Sequence, residues 1–164
     1  METADELRFD HGDETPSRLK AQVSRLVGMT AIQMGRVAGR ALDAVGAHKN
    51  HYIVLAALAE LGPASQSVLS GRTRIYKSDL VSVLNQLADG GWVRRAPDPG
   101  DKRRNVITVT EPGRRRLEEL DGVLTDVNEH IMAPLDDDER ARLFELLGRI
   151  NGHLAAEPAR GSQK

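Results

Sequence analysis

The sequence predicts a mainly α-helical protein with one small β-hairpin. Apolar residues recur at helical spacing over most of the chain. Two short stretches, residues 92–95 and 106–110, instead have the composition of β-strands. The segment between them is a turn by its content of Pro97, Pro99 and Gly100. The length fits this fold class, because 164 residues suffice for one domain with a buried core.

The first part of the chain is expected to form a long helix behind a tail. Residues 1–15 are polar and acidic, which predicts a disordered tail. Pro16 suits the first turn of a helix, and Gly46 suits the position after its end. Residues 16–46 are therefore assigned to this helix. The residues that share its apolar face are Leu19, Val23, Leu26, Val37 and Ala41.

The centre of the chain predicts one helix followed by a helix-turn-helix unit. The first helix covers residues 49–61 and stops at Gly62-Pro63. A shorter helix begins after Ser65, its expected N-cap, and a turn at Thr73-Arg74 leads to a third helix over residues 78–89. A short helix, a turn and a second helix form the unit whose second helix enters the DNA major groove.

The helix at residues 78–89 divides into a buried stripe and an exposed face. Ser78 is its expected N-cap, and Gly90-Gly91 ends it. The stripe consists of Leu80, Val83, Leu84 and Leu87. The opposite face carries short side chains that can approach another surface closely, namely Asp79, Val81, Ser82 and Asn85. Because cations follow at the hairpin turn, residues 47–111 have the pattern of a winged helix-turn-helix.

Two further helices follow the hairpin. One begins at Glu111-Pro112-Gly113, Pro134 interrupts the pattern, and Asp136 is the expected N-cap of the other. Narrow apolar seams run along them, through Leu117, Leu120, Leu124, Val127 and Ile131, and through Leu143, Leu147, Ile150 and Leu154. These seams could close an intramolecular core alone. Together with the first helix, however, they supply more apolar surface than one winged helix-turn-helix needs for its own core. We therefore expect N- and C-terminal dimerisation helices at residues 16–46 and 112–155. Residues 156–164 are expected to be a disordered tail.

The charge distribution indicates a local polyanion site. The formal net charge is −1, but the segment from Arg72 to Arg116 carries +6 and the remainder carries −7. The local sign decides binding, so a basic segment in an acidic frame is the footprint of a nucleic-acid contact. Only 3% of residues are aromatic, which argues against single-strand binding by base stacking.

Several other classes of protein are disfavoured by what the sequence lacks. It has no cysteine, which excludes disulfides, thiolate zinc sites and cysteine-based redox sensing. Neither a run of 18 apolar residues nor a signal peptide is present, so a cytoplasmic protein without a membrane partner is expected. No nucleophile–base grouping, phosphate loop or metal signature is visible, and we therefore expect neither an enzyme nor a cofactor.

The segment at residues 98–113, DPGDKRRNVITVTEPG, resembles the wing of the MarR (multiple antibiotic resistance regulator) family of winged helix-turn-helix regulators. The family's Asp-x-Arg pair corresponds to Asp101 and Arg103, and residues 87–95 resemble the exit from its recognition helix. Trp92 and the residues of the recognition helix depart from the family pattern, which affects the expected operator but not the fold. The resemblance implies a homodimeric transcriptional regulator, usually a repressor. A small aromatic or anionic ligand would release it from a palindromic, inverted-repeat operator in double-stranded DNA.

The candidate DNA contacts fall into three groups. Arg103 is expected in the narrow minor groove, held by Asp101, although a solvated charged turn is the alternative. Bases would face Ser78, Asp79, Val81 and Ser82, unless Asp79 caps its own helix, the interpretation we favour. Phosphates would be contacted by Gln66, Arg74, Lys77, Asn85, Arg94, Arg95, Lys102 and Arg104. The three arginines at 114–116 either contact phosphate or pair with acids.

The candidate ligand site lies where the first two helices meet, the region that lines the effector pocket in similar proteins. His48, His51 and Tyr52, with Arg36 or Arg40, could bind an anionic aromatic molecule; surface or capping roles are the alternative. His48 and His51 are three residues apart, but no third metal ligand is nearby, so no metal site is expected.

A second class of function remains open from the sequence. A winged-helix module can also serve for protein contact, with the basic wing against an acidic partner. Such a module would need neither so cationic a wing tip nor a recognition face of small residues. Salt-sensitive binding to duplex DNA separates the two hypotheses.

Overall fold

The computed structural model describes residues 16–98, 100 and 105–156 of the chain. Within these residues it contains seven helices and three strands, and the predicted fold class is confirmed. The chain divides into two units, residues 1–127 and 128–164. In chain order the elements are α1 (Ser17–Lys20), α2 (Val23–Ala44), α3 (Lys49–Leu61), β1 (Ala64–Ser65), α4 (Gln66–Thr73), α5 (Lys77–Asp89), β2 (Val93–Pro97), β3 (Asn105–Val109), α6 (Glu111–Ile131) and α7 (Asp137–Ala156).

The predicted long first helix is interrupted. The structure has a single turn, α1, then a break at Ala21-Gln22 before α2 begins at Val23. The backbone of Gln22 is extended, which ends one helix and starts the next. The predicted end of the helix was correct, because α2 stops at Ala44 and Gly46 follows with a φ of +67°. That left-handed conformation suits glycine, which has no Cβ to clash with the backbone.

The sheet in the first unit has three antiparallel strands in the order β1-β3-β2. The hairpin pairs Val93 with Val109 and Arg95 with Ile107, while β1 pairs Ala64 with Ile107. The sequence did not predict β1, because a strand of two residues has no periodicity. Through β1, the start of α4 is joined to β3 of the hairpin.

The core of the first unit collects residues from α2 to α6. The predicted stripe of α5 is buried: Leu80, Leu84 and Leu87 are fully enclosed and Val83 is nearly so. Leu120 of α6 is also fully buried in this core, and Leu117 and Leu124 pack against it. The N-terminal half of the predicted α6 seam therefore belongs to the protomer's own core.

Side chains fix the turn between α4 and α5. Ser65 caps α4 as predicted, with its hydroxyl accepting from the backbone N–H of Val68. Arg74 ends α4 in the left-handed conformation, with a φ of 56°. The Ser70 hydroxyl donates to the carbonyl oxygen of Ile75 at 2.8 Å, and the Ile75 side chain is buried. The chain is thereby anchored at Ile75, two residues before α5 begins.

Glycine at the start of α6 permits a close backbone approach. A Cβ added at Gly113 would lie 2.0 Å from the carbonyl oxygen of Trp92. That oxygen accepts a hydrogen bond from the N–H of Thr110 at 3.0 Å, and the Thr110 hydroxyl in turn donates to the Gly91 oxygen at 2.7 Å. The end of the hairpin is thus locked onto the first turn of α6.

The second unit, described to residue 156, contains the end of α6 and all of α7. Asp136 is the N-cap of α7 as predicted, since its carboxylate accepts from the Glu139 N–H at 2.9 Å. Glu139 returns the contact by accepting from the Asp136 N–H at 3.0 Å, which completes a capping box. The helix continues to Ala156, so the predicted tail boundary at residue 156 was one residue too early. The expected tails at residues 1–15 and 157–164 lie outside the described residues.

Apolar side chains remain exposed on helices of both units. On α1 and α2 they include Leu19, Val23, Leu26 and Ile32, and on α7 Phe144, Leu146, Ile150 and Leu154. Isolated exposed apolar residues are ordinary, but repeats along a helix mark a contact surface. No helix of the described part of the chain is long and apolar enough to cross a membrane.

Candidate nucleic-acid interface and histidine cluster

One face of α5 is exposed and carries the four predicted base-contacting residues together with Asn85, a predicted phosphate contact. We call this set, Ser78, Asp79, Val81, Ser82 and Asn85, the reading face. The expectation that Ser78 caps the helix was wrong, because α5 begins at Lys77 with Tyr76 at the N-cap position. Asp79 does not cap the helix either; its carboxylate accepts from the Ser78 hydroxyl at 3.2 Å, within the reading face.

The hairpin lies against the end of the reading face. Arg95 of β2 donates from its guanidinium to the side-chain oxygen of Asn85 at 2.8 Å. Both residues were predicted to contact phosphate separately, whereas the structure joins them to each other. Arg94 is also exposed, but it lies on the opposite side of the strand, because successive side chains of a strand alternate.

Some described basic side chains between residues 72 and 116 form contacts within the protein, whereas others are exposed without such contacts. Arg72 donates to the carbonyl oxygens that end α3, and Arg115 and Arg116 pair with Glu111 and Glu119. These two pairs favour the acid-pairing alternative for residues 115 and 116. The exposed cations without a hydrogen bond or ion pair among the described residues are Arg74, Lys77, Arg94 and Arg114.

The predicted wing-tip residues Asp101, Lys102, Arg103 and Arg104 lie outside the described residues. Next to them, the Asp98 carboxylate accepts from the Gly100 N–H at 2.8 Å, the contact of a tight turn. Gln66, another predicted phosphate contact, is half-buried at the first residue of α4. It lines a cavity of about 290 Å³ with Ser65, Ser67, Arg95, Asn105 and Ile107.

A second group of polar and aromatic side chains involves Gln86 of α5; it consists of His48, His51, Gln86, Trp92 and Arg116, and we call it the histidine cluster. The Nε2 atoms of His48 and His51 lie 3.0 and 2.7 Å from the same Gln86 side-chain oxygen. An amide oxygen only accepts, so both imidazoles donate an Nε2–H to it. Their rings are 3.6 Å apart. Gln86 belongs to α5, so the cluster connects α5 directly to α3.

Arg116 closes the other side of the cluster. Its guanidinium lies over the Trp92 ring, 5.0 Å from the centroid, in a cation–π arrangement. It also donates to the carbonyl oxygen of Val45, just beyond α2, and pairs with Glu119. One side chain of α6 therefore contacts both the α2–α3 connection and the start of the hairpin.

Burial dominates the electrostatics of His51. The residue is only 6% exposed, and burial lowers the pKa of its imidazole below the ordinary 6.5. The hydrogen bond with Gln86 acts in the opposite direction, while the nearby His48 and Arg116 lower the pKa further. The Nδ1 atom of His51 and the Nε atom of Arg116 are both buried without a hydrogen-bond partner among the described residues. His51 is thus held neutral with an unused acceptor inside the protein.

The other residues predicted for the ligand site are only partly brought together. Tyr52 uses its hydroxyl to donate to Asp121 of α6 at 2.9 Å, and burial and that contact raise the pKa of the phenol. Arg36 and Arg40 are exposed on α2 and make no hydrogen bond or ion pair with the histidine cluster within the described residues. The positively charged member of the cluster is Arg116 instead.

Sequence reasoning missed Gln86, Trp92 and Arg116 as members of this cluster. Gln86 follows Asn85 on an exposed part of the helix and carries no pattern of its own. Trp92 offered a usable signal, since it is a large residue at a position where a smaller one was expected. Within residues 16–98, 100 and 105–156 no three His, Cys, Asp or Glu side chains converge on a possible metal position.

Comparison with known proteins identifies the family. The sequence model of the MarR family matches residues 46–104, which include α3, the helix-turn-helix and the start of the wing. PecS of Dickeya dadantii, a helix-turn-helix transcriptional regulator, is 30% identical over 136 residues that cover 79% of this chain and 82% of PecS. The chain belongs to the MarR family. NicR of Pseudomonas putida, a helix-turn-helix transcriptional repressor, is 27% identical over 84% of this chain and 87% of NicR.

Solved structures of MarR-family proteins share the fold. A variant of E. coli MarR complexed with operator DNA superposes with a TM-score of 0.68 at 24% identity, covering 78% of this chain and 92% of MarR. Bordetella bronchiseptica BpsR, whose DNA binding is regulated by 6-hydroxynicotinic acid, gives a TM-score of 0.72 at 21% identity over 84% and 98%. These structures show the same fold, and the family match together with the 30% identity to PecS makes the protein a winged helix-turn-helix transcriptional regulator of the MarR family, a family of regulators and not of enzymes.

Proposed function

We propose that this MarR-family regulator acts in the cytoplasm as a homodimeric repressor that binds a specific operator and is released by a small organic ligand. The observation that carries the DNA-binding part is the division of α5. Its stripe of Leu80, Val83, Leu84 and Leu87 is buried, while the reading face is exposed beside the hairpin. A helix held by its apolar stripe can enter the major groove without disturbing the core.

The charge around the reading face supports duplex DNA as the partner. Arg74 and Lys77 flank the start of α5, Arg94 lies on the outer side of β2, and all three are exposed. The sequence adds Lys102, Arg103 and Arg104 at the wing tip. Cations on both sides of a helix contact the two phosphate strands that border a groove, while short side chains between them reach the bases.

Exposed apolar residues support a homodimer. Val23 and Leu26 of α2 and Ile150 and Leu154 of α7 are each at least 46% exposed in the protomer. A second copy that covered these faces would bury them, as obligate dimers do. A two-fold dimer would present two copies of α5, and its operator would be an inverted repeat with half-site centres about one helical turn apart, roughly 10 base pairs.

The histidine cluster is the proposed effector site. A carboxylate placed between His48, His51 and Arg116 would accept from both imidazoles and compete with the Gln86 oxygen. A charged acceptor forms the stronger hydrogen bond, so the ligand would free Gln86 and with it the contact that ties α5 to α3. The 6-hydroxynicotinic acid of BpsR is an aromatic carboxylic acid, which favours this ligand class. Arg36 and Tyr52 would then lie at the margin of the site.

Binding to a duplex of arbitrary sequence tests the DNA-binding proposal. Fluorescence anisotropy across a salt series should show affinity that falls steeply as salt rises, because each neutralised phosphate releases about 0.9 of a counterion. A duplex that is never bound at low salt would contradict the proposal. An acidic protein partner would then become the better explanation of the basic surface.

Ligand release tests the effector proposal. The complex with a selected operator is titrated with 6-hydroxynicotinate, nicotinate and benzoate. At least one of these acids should dissociate the complex of the parent protein with the operator. For each tenfold loss of DNA affinity, the ligand must bind the released form more tightly than the DNA-bound form by about 1.4 kcal/mol. His51→Ala should abolish the response, whereas Lys49→Ala, an exposed change on the same helix, should respond like the parent. Peroxide should have no effect, because the chain has no cysteine. Equal responses of all three proteins would place the effector elsewhere.

A further inference from the structure

The contact between Asn85 and Arg95 joins the reading face of α5 to the hairpin. Arg95 lies opposite Ile107 in the sheet and projects to the same side as Val93, which is buried. Its side chain therefore points toward the helices, and its guanidinium reaches the Asn85 oxygen at 2.8 Å. The Arg95 side chain is therefore directed toward α5 of the same protein and not outward from the hairpin.

Three elements meet at the Arg95 side chain. Besides Asn85 of α5, it borders the cavity of about 290 Å³ whose other walls are the start of α4 and residues of β3. The walls of this cavity include Ser65, Gln66 and Asn105. A guanidinium has five N–H donors in a rigid fork, so it can hold Asn85 and still occupy the junction between the helix-turn-helix and the hairpin.

The hydrogen bond also fixes the orientation of the Asn85 amide. Arginine only donates, so the Asn85 oxygen must accept, and the NH₂ group of Asn85 is left as a donor. Reading of adenine by asparagine requires its oxygen and its NH₂ group together. While it holds Arg95, the Asn85 oxygen has one of its two lone pairs occupied and its direction set by the guanidinium, so the NH₂ group, a donor to a phosphate oxygen or a base acceptor, is the part of the amide left unused. The contact thus influences what the last turn of the reading face can recognise.

We propose that Arg95 is a positioning residue for operator recognition, which acts through Asn85 to hold the hairpin against α5 and to set the direction of the Asn85 amide. This inference rests on the proposed DNA-binding function. It differs from the sequence-based assignment, in which Arg95 and Asn85 contacted phosphates independently. Arg94, on the outer side of the same strand, provides the matched control for an arginine that is proposed to contact phosphate.

A double-mutant cycle tests this inference on the duplex that the parent selects from a random pool. Arg95→Ala and Asn85→Ala should each lower affinity about three- to tenfold, the range of one ordinary exposed hydrogen bond, and the double variant should lose no more than either. Arg94→Ala combined with Asn85→Ala should instead lose the product of the two effects. All variants should keep the parent's far-UV circular dichroism and melting temperature within a few degrees, since these side chains are exposed.

Two further readouts separate positioning from charge and from a general structural effect. The slope of log affinity against log salt should stay at the parent value in Arg95→Ala and fall by about 0.9 in Arg94→Ala. Relative affinities for singly substituted duplexes should change at the same base pairs in Arg95→Ala and Asn85→Ala; a general loss would lower all of them alike. Additive losses, or a smaller salt slope in Arg95→Ala, would overturn this inference alone. A parent that selects no duplex would overturn the proposed function and this inference with it.

Discussion

The junction between the hairpin and α6 gives the sharpest prediction about stability. Gly113→Ala places a Cβ 2.0 Å from the Trp92 carbonyl oxygen, whereas close carbon–oxygen contacts lie near roughly 3.3 Å. The two backbone segments would have to separate by more than about 1 Å. That movement strains the 3.0 Å hydrogen bond from Thr110 to Trp92. Overpacking together with one weakened hydrogen bond should lower the free energy of unfolding by about 2–4 kcal/mol.

Gly122→Ala is the matched control on the same helix. Nothing lies within 4 Å of the position that a Cβ would take there, so alanine should gain helix propensity, about 0.5–1 kcal/mol. Thermal unfolding followed by circular dichroism, at one protomer concentration, compares both variants with the parent. Gly113→Ala should lower the melting temperature by roughly 5–15 °C, and Gly122→Ala should raise it slightly. A Gly113→Ala protein as stable as the parent would refute the close approach of α6 to the hairpin.

Three other predictions concern pH, assembly and the wing. The pKa of His51 is lowered in the folded protein, so below about pH 6.5 the unfolded chain binds a proton more readily than the folded protein does. Urea unfolding should therefore show a free energy of unfolding that falls by up to about 1.4 kcal/mol per pH unit as the pH decreases, and His51→Gln should remove this contribution. Ile150→Glu, which places a charge among the exposed apolar residues of α7, should convert the proposed dimer to a monomer in sedimentation, whereas Asn151→Glu, which adds the same charge one residue later, should not. Arg103→Ala should weaken operator binding by roughly 1–3 kcal/mol in anisotropy while the melting temperature stays unchanged; equal binding would exclude a minor-groove contact.

Local pattern accounts for most of what the sequence predicted correctly. The stripe of α5 follows from the spacing of four apolar residues, and the caps Ser65 and Asp136 follow from residue types that satisfy free N–H groups. The misplaced start of α5 has a related cause. Ser78 is a good capping residue, but the buried Ile75 and the turn it anchors place Tyr76 at the N-cap, so tertiary packing overrode local preference.

The candidate sites depend on contacts between residues far apart in the chain. Gln86 joins His48 and His51 across 38 and 35 positions, and Arg116 reaches Val45 across 71. No periodicity connects such pairs, so the sequence indicated the histidines but assigned their cationic partner to Arg36 or Arg40. Likewise, strand composition predicted the hairpin, while the direction of Arg95 toward Asn85 depends on which side of β2 faces the core.

Selection of bound duplexes from a random pool tests the central claim most directly. The purified protein is incubated with random duplexes of about 30 base pairs, and the bound fraction is amplified, reselected and sequenced. We predict a consensus that is an inverted repeat with half-site centres roughly 10 base pairs apart, since two copies of α5 must enter successive major grooves on one side of the helix. Failure to enrich any sequence, or a consensus without two-fold symmetry, would contradict the proposal of a homodimeric operator-binding regulator.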